Sequence, residues 1–383
     1  MLSMRIGIAL FQFFPGKVGG AGDYIERLIP GLIQALDADD ELILIGNAEN
    51  LSPFAKLADP RLQLLQVPWS RRWIQILRFL DITLPFSVSG LWSKPFNNLQ
   101  LDVLLCPQQS IFPRGIQTPT VVTFVDLLHY RTPEHVSFLQ RWLRRRKEFH
   151  VIRNCVHTIS ISQATRSDLL EFYPIAPEKC SVVYLGGKAP HNEPADNPVP
   201  AGAPYVYYPA TTFPHKNHVR FLEAFCAFRT ANPRLDGRLV LSGQCSPQIR
   251  KLLDDPNLAR NVLHLGYLSR AQVAAVYAGC RAVVIPSLFE GFGMPLVEGL
   301  GYGRPVFCSD LPVFRELAGD TVNYFDPTSI ASMQQTLAEI FTAEPSLPDQ
   351  TEVAQILGRL NWERCAEETY VILKANSRRA SSG

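Results

Sequence analysis

A chain of 383 residues with 46% hydrophobic and 19% charged side chains is long enough for two cores and too apolar to remain disordered. Its 37 basic and 35 acidic residues leave a formal charge of +2, which removes any global case for nucleic-acid binding, and no apolar run reaches membrane-spanning length. The chain opens directly into Arg5-Ile-Gly-Ile-Ala-Leu-Phe11, the length and flavour of a first strand with no basic leader ahead of it, so a cytoplasmic protein is expected. The eight cysteines, from Cys106 to Cys365, lie in apolar contexts without C-x-x-C spacing, which predicts buried reduced thiols and no metal site.

After the first strand a helix is predicted from about Asp23 to Leu36, then a second strand, Glu41–Gly46, completing a βαβ opening. Gly19-Gly20-Ala21-Gly22 precedes the helix, and bare glycines there let a phosphate approach backbone N–H groups. It is not an NAD fingerprint: Gln12 to Val18 separates strand from glycines, and the second strand ends in Gly46-Asn47 without an acid. Leu101–Leu105, Thr120–Phe124 and Thr158–Ile161 read as short buried strands, and Ser162–Phe172 as a serine-capped helix. A first domain is expected over 1–187. Residues 188–204 carry five prolines and almost nothing to fill a core, which marks a linker.

A second domain is expected over 205–362. Strands are predicted at Tyr205–Tyr208, Arg238–Ser242, Val262–Leu265, Ala282–Pro286 and Pro305–Cys308. Helices alternate with them at Val219–Thr230, Gln248–Leu253, Arg270–Ala278 and Pro295–Gly301. Residues 363–383 are expected to form a helix returning to the first domain, with a frayed tail from Ser377. The fold class is therefore α/β, two Rossmann-like doubly wound parallel sheets, with ligands expected at a cleft beyond the strand ends.

The most informative segment is Ile285-Pro-Ser-Leu-Phe-Glu290-Gly-Phe-Gly293-Met-Pro295-Leu-Val-Glu298, a buried strand running into a glycine-bracketed loop and a helix. Pro295 suits a first helical position, which turns the free N–H groups of Gly291, Phe292, Gly293 and Met294 outward. Glu290 and Glu298, with seven residues between them, then present carboxylates to one ligand, accepting hydrogen bonds from sugar hydroxyls while the helix end stabilises diphosphate charge. Acids near a helix start also occur merely to complement its dipole. Lys216, between a strand and a helix, can meet a phosphate as a point cation.

Glu290-Gly-Phe-Gly…Glu298…Gly303-Arg-Pro resembles the paired-glutamate signature of the retaining glycosyltransferases of family 4, which have the GT-B fold. The similarity runs over nearly the whole chain, through Pro209-Ala-Thr-Thr-Phe-Pro-His-Lys216-Asn217, Leu265-Gly-Tyr-Leu-Ser269, Ser309-Asp-Leu-Pro…Glu316-Leu-Ala-Gly and Ser160-Ile-Ser162…Asp168. The resemblance implies that Glu290 contacts the donor sugar, Glu298 the ribose, and Lys216 the diphosphate. It departs from the family at Thr211, where an arginine is usual, and at Val125-Asp126, where His-Asp is usual. Asp126 aligns; the histidine's role is either lost or supplied by His129.

The catalytic set this implies is Glu290, Lys216 and Asp126. Donor contacts fall at Gly20, Gly22, Thr211, Gly291, Phe292, Gly293, Met294 and Glu298. The expected donor is a nucleoside-diphosphate hexose, GDP-mannose on the Pro-His-Lys-Asn form of the lysine loop, with no cofactor and no metal. The acceptor is a glycan or lipid-linked hydroxyl. Two basic-aromatic stretches, holding Trp69, Arg71, Arg72 and Trp73 and then Trp142, Arg144, Arg145 and Arg146, suit either contact with anionic lipid at the inner membrane face or a solvated helix surface. Three readings compete: a hexosyltransferase, an epimerase or phosphorylase on the same architecture, and a silent sugar-nucleotide-binding or scaffold subunit.

Overall fold

Short apolar runs separated by amphipathic stretches form two parallel sheets in the computed structural model, which describes residues 3–15, 20–84, 86–187 and 196–378. The first sheet contains β1 (Arg5–Ala9), β2 (Glu41–Gly46), β3 (Leu62–Gln66), β4 (Val103–Cys106), β5 (Thr120–Phe124), β6 (His157–Ser160) and β7 (Cys180–Val182), in the order β3-β2-β1-β4-β5-β6-β7. The second contains β8 (Tyr205–Pro209), β9 (Arg238–Ser242), β10 (Val262–His264), β11 (Ala282–Ile285), β12 (Val306–Ser309) and β13 (Asn323–Phe325), in the order β10-β9-β8-β11-β12-β13. Central strands such as β4, β5 and β11 are buried along their whole length, as strands covered by helices on both faces must be.

Three strands are absent from the sequence expectation: β3, β7 and β13. All are sheet edges, and each is short or partly exposed, so none carries the continuous apolar run of a central strand.

The chain divides into two compact units, Met1–Gly186 with Asn361–Gly383, and Gly187–Leu360. The borders differ from the expected 187 and 362 because of local packing. Gly187 N–H donates to Leu360 O at 2.9 Å, within the second unit, whereas Trp362 packs on Gly186 and on Tyr24 within the first. Residues 188–195 of the expected linker lie outside the described residues.

Within the first unit, helix Trp362–Ala375 lies on helix Gly20–Ala35. Gly31 admits the approach: a Cβ there would be 2.8 Å from Ala366 Cβ. Tyr370 donates to the buried Asp40 at 2.6 Å, and Asp40 also accepts Met4 N–H at 2.7 Å. The tail is not frayed from Ser377 as expected, since Ser377 is buried and Arg378 N–H donates to Asp102 O at 3.0 Å; residues 379–383 lie outside the described residues. All eight cysteines are free, but Cys155, Cys226 and Cys245 are partly exposed, a correction to the expectation that all are buried.

In the second unit His218 is the first residue of helix His218–Ala231 and stacks on Tyr208 with ring centroids 4.7 Å apart. Burial, then the nearby Lys216 charge, pushes its pKa down to about 3.

Two outcomes are expected. A Cβ at Gly186 would meet Trp362 N at 2.4 Å, so Gly186→Ala is expected to lower stability by about 1–3 kcal/mol, read as a reduced urea midpoint. As pH falls below His218's ordinary 6.5 the unfolded chain takes up a proton that the folded chain refuses until about 3, so this contribution to stability is intact above 6.5 and lost below it. His218→Phe, which keeps the stacked ring, is expected to flatten the fall in urea midpoint between neutral pH and about pH 4; an unchanged slope contradicts the assignment.

Candidate functional site

The second sheet changes winding direction between β8 and β11: from β8 the chain proceeds outward to β9 and β10, and from β11 outward to β12 and β13. Loops leaving the carboxyl ends of two such neighbours flank a crevice, the position where open α/β sheets bind ligands. The loop after β8 carries Lys216 at the end of a single turn, Pro214–Lys216, and closes on Asn217 in the left-handed conformation, φ 60°. Asparagine tolerates that conformation better than most residues, and here its side chain reinforces it by donating to Pro286 O at 3.0 Å and Pro327 O at 2.8 Å. The loop after β11 is joined to it by Leu288 N–H donating to His215 O at 2.8 Å.

These constraints bring Lys216 Nζ to 2.6 Å from Glu290 Oε1. Ser287 Oγ donates to the same oxygen at 2.8 Å. Tyr208, buried at the end of β8, donates to Lys216 O at 2.9 Å and lies 3.1 Å from Ser287 Oγ. Burial, and secondly the Glu290 charge, drive its ionisation well above the ordinary value, so the hydroxyl stays protonated and able to donate. Ser287 and Tyr208 were not singled out by sequence. The available signal was the tyrosine-rich strand Tyr205-Val-Tyr207-Tyr208, since a buried hydroxyl demands a partner.

Gly293 follows with φ 112°, and a Cβ would lie 2.5 Å from Phe314 Cε1, so only glycine fits without displacement. Helix Met294–Gly301 begins there, placing Pro295 at its second position rather than its first as expected. Proline is equally free of a broken bond at either place, because the first turn's N–H groups have no intrahelical acceptor. Gly291 and Met294 are half-buried, but Phe292 is 3% exposed and its ring belongs to the core.

Glu298 is 6% exposed, and its Oε2 accepts the Tyr277 hydroxyl at 2.7 Å. Tyr277 stands edge-on to Tyr207 and stacks on Tyr302, so this carboxylate is seated in an aromatic shell. Burial and the Glu298 charge hold the Tyr277 hydroxyl well above its ordinary ionisation range. Thr211 is half-buried in the same strand-end loop, its carbonyl accepting Phe213 N–H at 2.8 Å.

In the first unit, Gly20 and Gly22 lie in the first turn of helix Gly20–Ala35, not in a loop before it; Gly19 lies outside the described residues. Asp126 is partly exposed just beyond β5, its carboxylate accepting Leu128 N–H at 3.1 Å. His129 is not presented at the surface of the unit. Its side chain is enclosed, with Nε2 3.2 Å from Glu148 Oε2, and Glu148 in turn accepts the Tyr173 hydroxyl at 2.7 Å.

The basic-aromatic residues separate. Trp69 packs on Phe11, Phe96 and Phe112 with centroids 5.7–6.0 Å apart and is half-buried against the core's aromatic cluster, a correction to its purely surface reading. Arg71 lies over the Phe14 ring and near Glu49. Arg72 and Trp73 are exposed on helix Arg71–Thr83, where Ile76 and Phe79 continue an apolar stripe. On helix Phe138–Asn154, Trp142 is exposed with Arg146 over its ring, Arg145 covers Tyr130, and Arg144 is half-buried. Among the described residues no helix is long and apolar enough to cross a membrane, and no three side chains form a metal-ligand cluster.

Comparison with known proteins agrees with this architecture. The family described as Glycosyltransferase Family 4 matches residues 18–186, and that described as Glycosyl transferases group 1 matches residues 191–355. The chain is 24% identical over 231 residues to the O-antigen chain mannosyltransferase RfbU of Salmonella typhimurium, a match covering 60% of this chain and 61% of that protein. It is 25% identical over 269 residues to O-antigen chain mannosyltransferase B of Escherichia coli, covering 65% and 68%. The solved sucrose-phosphate synthase of Thermosynechococcus elongatus shares the fold with a TM-score of 0.71 at 16% identity, covering 99% of this chain and 100% of that one. With both units matched in turn and the two parallel sheets in place, the chain belongs to the family 4 glycosyltransferases of GT-B fold.

Proposed function

We propose that this protein is a retaining hexosyltransferase that moves a sugar, mannose from GDP-mannose, onto a glycan or lipid-linked hydroxyl. The observation that carries the reading is the Lys216–Glu290 pair, 2.6 Å apart between two strand-end loops at the switch point of the second sheet. A donor combines the two partners this pair lacks: phosphate oxygens for the ammonium and sugar hydroxyls for the carboxylate. The mannosyltransferase names of the matched relatives favour the sugar.

In the reaction the bond from the anomeric carbon to the diphosphate oxygen breaks and a bond to the acceptor oxygen forms on the same face. Negative charge grows on the departing phosphate, which takes the acceptor's proton. Lys216 and the N–H groups at the start of helix Met294–Gly301 answer that charge, while Glu290 holds the sugar hydroxyls. Glu298, seated by Tyr277, is assigned to the ribose. Asp126 and the Gly20–Gly22 turn are the first unit's candidate contacts. A second reading, sugar-nucleotide binding without transfer, is favoured by one observation: Val125 stands where the family has histidine, and His129 is enclosed with Glu148.

Calorimetric titration with GDP, UDP and ADP is expected to show one base preferred, with binding weakened about tenfold or more in Lys216→Ala. Glu290→Ala is expected to abolish donor hydrolysis and transfer while retaining nucleotide binding. Binding without turnover by the wild type supports the second reading, and absence of nucleotide binding defeats both. For the membrane, we propose that the exposed Trp73, Ile76, Phe79 and Trp142 with neighbouring arginines rest on anionic lipid. Flotation with anionic vesicles should recover the protein at low salt and lose it at high salt or in the Trp73→Ser, Phe79→Ser double variant; equal recovery without lipid ends that idea.

A further inference from the structure

The first unit contains a small pocket lined by Arg78, Asp81, Ser110, Arg114, Lys147 and His150 together with three apolar residues. None of the six takes part in the site assigned above. Arg78 and Asp81 are three apart on helix Arg71–Thr83, and Lys147 and His150 are three apart on helix Phe138–Asn154, so each pair shares a helix face, and the two helices are in contact. Ser110 and Arg114 belong to the segment leaving the carboxyl end of β4. Arg78 Nη2 donates to Gln12 Oε1 at 2.7 Å, on the segment leaving β1. β1 and β4 are the neighbours at which the first sheet changes winding direction; the segment leaving β4 lines the cavity, and the segment leaving β1 reaches it only through the Gln12 contact with Arg78.

Its charge is unbalanced. Asp81 is the one carboxylate in the lining, and it is already committed: it accepts Val88 N–H at 2.8 Å, Ser89 N–H at 2.9 Å and the Ser89 hydroxyl. Glu148, beside Lys147 in the chain, turns its carboxylate to Tyr173 and His129 instead. Asp126 acts on Lys147 more weakly than Glu148 does. Among the described residues, neither the Lys147 ammonium nor the Arg114 guanidinium has a hydrogen-bond or ion-pair partner. Burial, with Arg78 and Arg144 adding to it, brings Lys147 down to about 8, and burial with Arg114 brings His150 down to about 4. An anion among them reverses that penalty.

The geometry selects the kind of anion. Cations approach from two helices and a loop, so the ligand must offer oxygens in several directions, which a phosphoryl group does and a planar carboxylate does not. Ser110 supplies a neutral hydroxyl beside the charged donors.

We propose that this cavity is a phosphoryl-binding subsite of the first unit, held by Arg114, Lys147 and Arg78. The phosphoryl group is carried either by a soluble ester or by a lipid. The helices that form the cavity also bear the exposed Trp73, Phe79 and Trp142, which gives the lipid source a physical route. The subsite does not depend on the donor reading, because its residues and Lys216 belong to different units.

The test uses the full chain and inorganic pyrophosphate in calorimetry, in the wild type and in Lys216→Ala so that binding at the second unit is told apart. Expected is pyrophosphate binding that persists in Lys216→Ala, weakens about tenfold or more in Lys147→Met and in Arg114→Met, and is restored toward wild type in Lys147→Arg. A parallel arm measures flotation on phosphatidylcholine vesicles with and without phosphatidic acid. Recovery that requires phosphatidic acid and is lost in Lys147→Met, without soluble pyrophosphate binding, supports the subsite and names the lipid as its source. Thermal melting establishes that each variant is folded. Binding that is absent in both arms, or unchanged in folded Lys147→Met and Arg114→Met, overturns the proposal.

Discussion

The organisation of the second unit turns on one ion pair, Lys216 with Glu290. Both side chains are largely sheltered, 18% and 10% exposed, where an unpartnered charge is costly. Each is held from behind by one of two adjoining buried hydroxyls: Tyr208 fastens the lysine's backbone, and Ser287 fastens the glutamate's carboxylate. The pair therefore constrains two loops that are far apart in sequence. Its net contribution to stability is small, because desolvation offsets most of the attraction. That balance suits a ligand site: a phosphate and a hydroxyl can replace each partner for the other, and no buried charge is left bare in either state.

The first unit repeats the sheet logic with the opposite electrostatic solution. Both sheets change winding direction between a pair of neighbouring strands; in the second unit the polar residues lie on segments leaving those strands, and in the first most of them stand on two covering helices. In the second unit cation and anion neutralise one another. In the first, Arg78, Arg114 and Lys147 face a single carboxylate already occupied by backbone and serine donors. The difference follows from which side chains the surrounding helices supply, since the backbone arrangement is common to both.

Tyrosine hydroxyls recur as the fixing elements. Tyr208 bridges the two strand-end loops, Tyr277 holds Glu298, Tyr173 holds Glu148, and Tyr370 holds Asp40. In each case a large ring fills core volume while its oxygen satisfies a buried polar group, which positions carboxylates without introducing a second charge. His129 is enclosed beside the same Glu148–Tyr173 group, its side chain fully buried.

Reading the chain alone identified β2, β5 and β9 to the residue, and the serine cap of helix Gln163–Phe172, because apolar runs, caps and turns are local properties of consecutive residues. It also marked the strand–loop–helix setting of Lys216 and of Glu290. Local pattern failed at the edges β3, β7 and β13, where one side is exposed and the apolar run is broken, and at Trp69, whose arginine neighbours concealed an internal aromatic cluster. The 2.6 Å contact between residues 74 apart, the seat of Glu298 on Tyr277, and a cavity assembled from two helices and a loop were decided only by the tertiary structure. Strand order and helix packing set those distances, and neither is encoded in the spacing of residues along the chain.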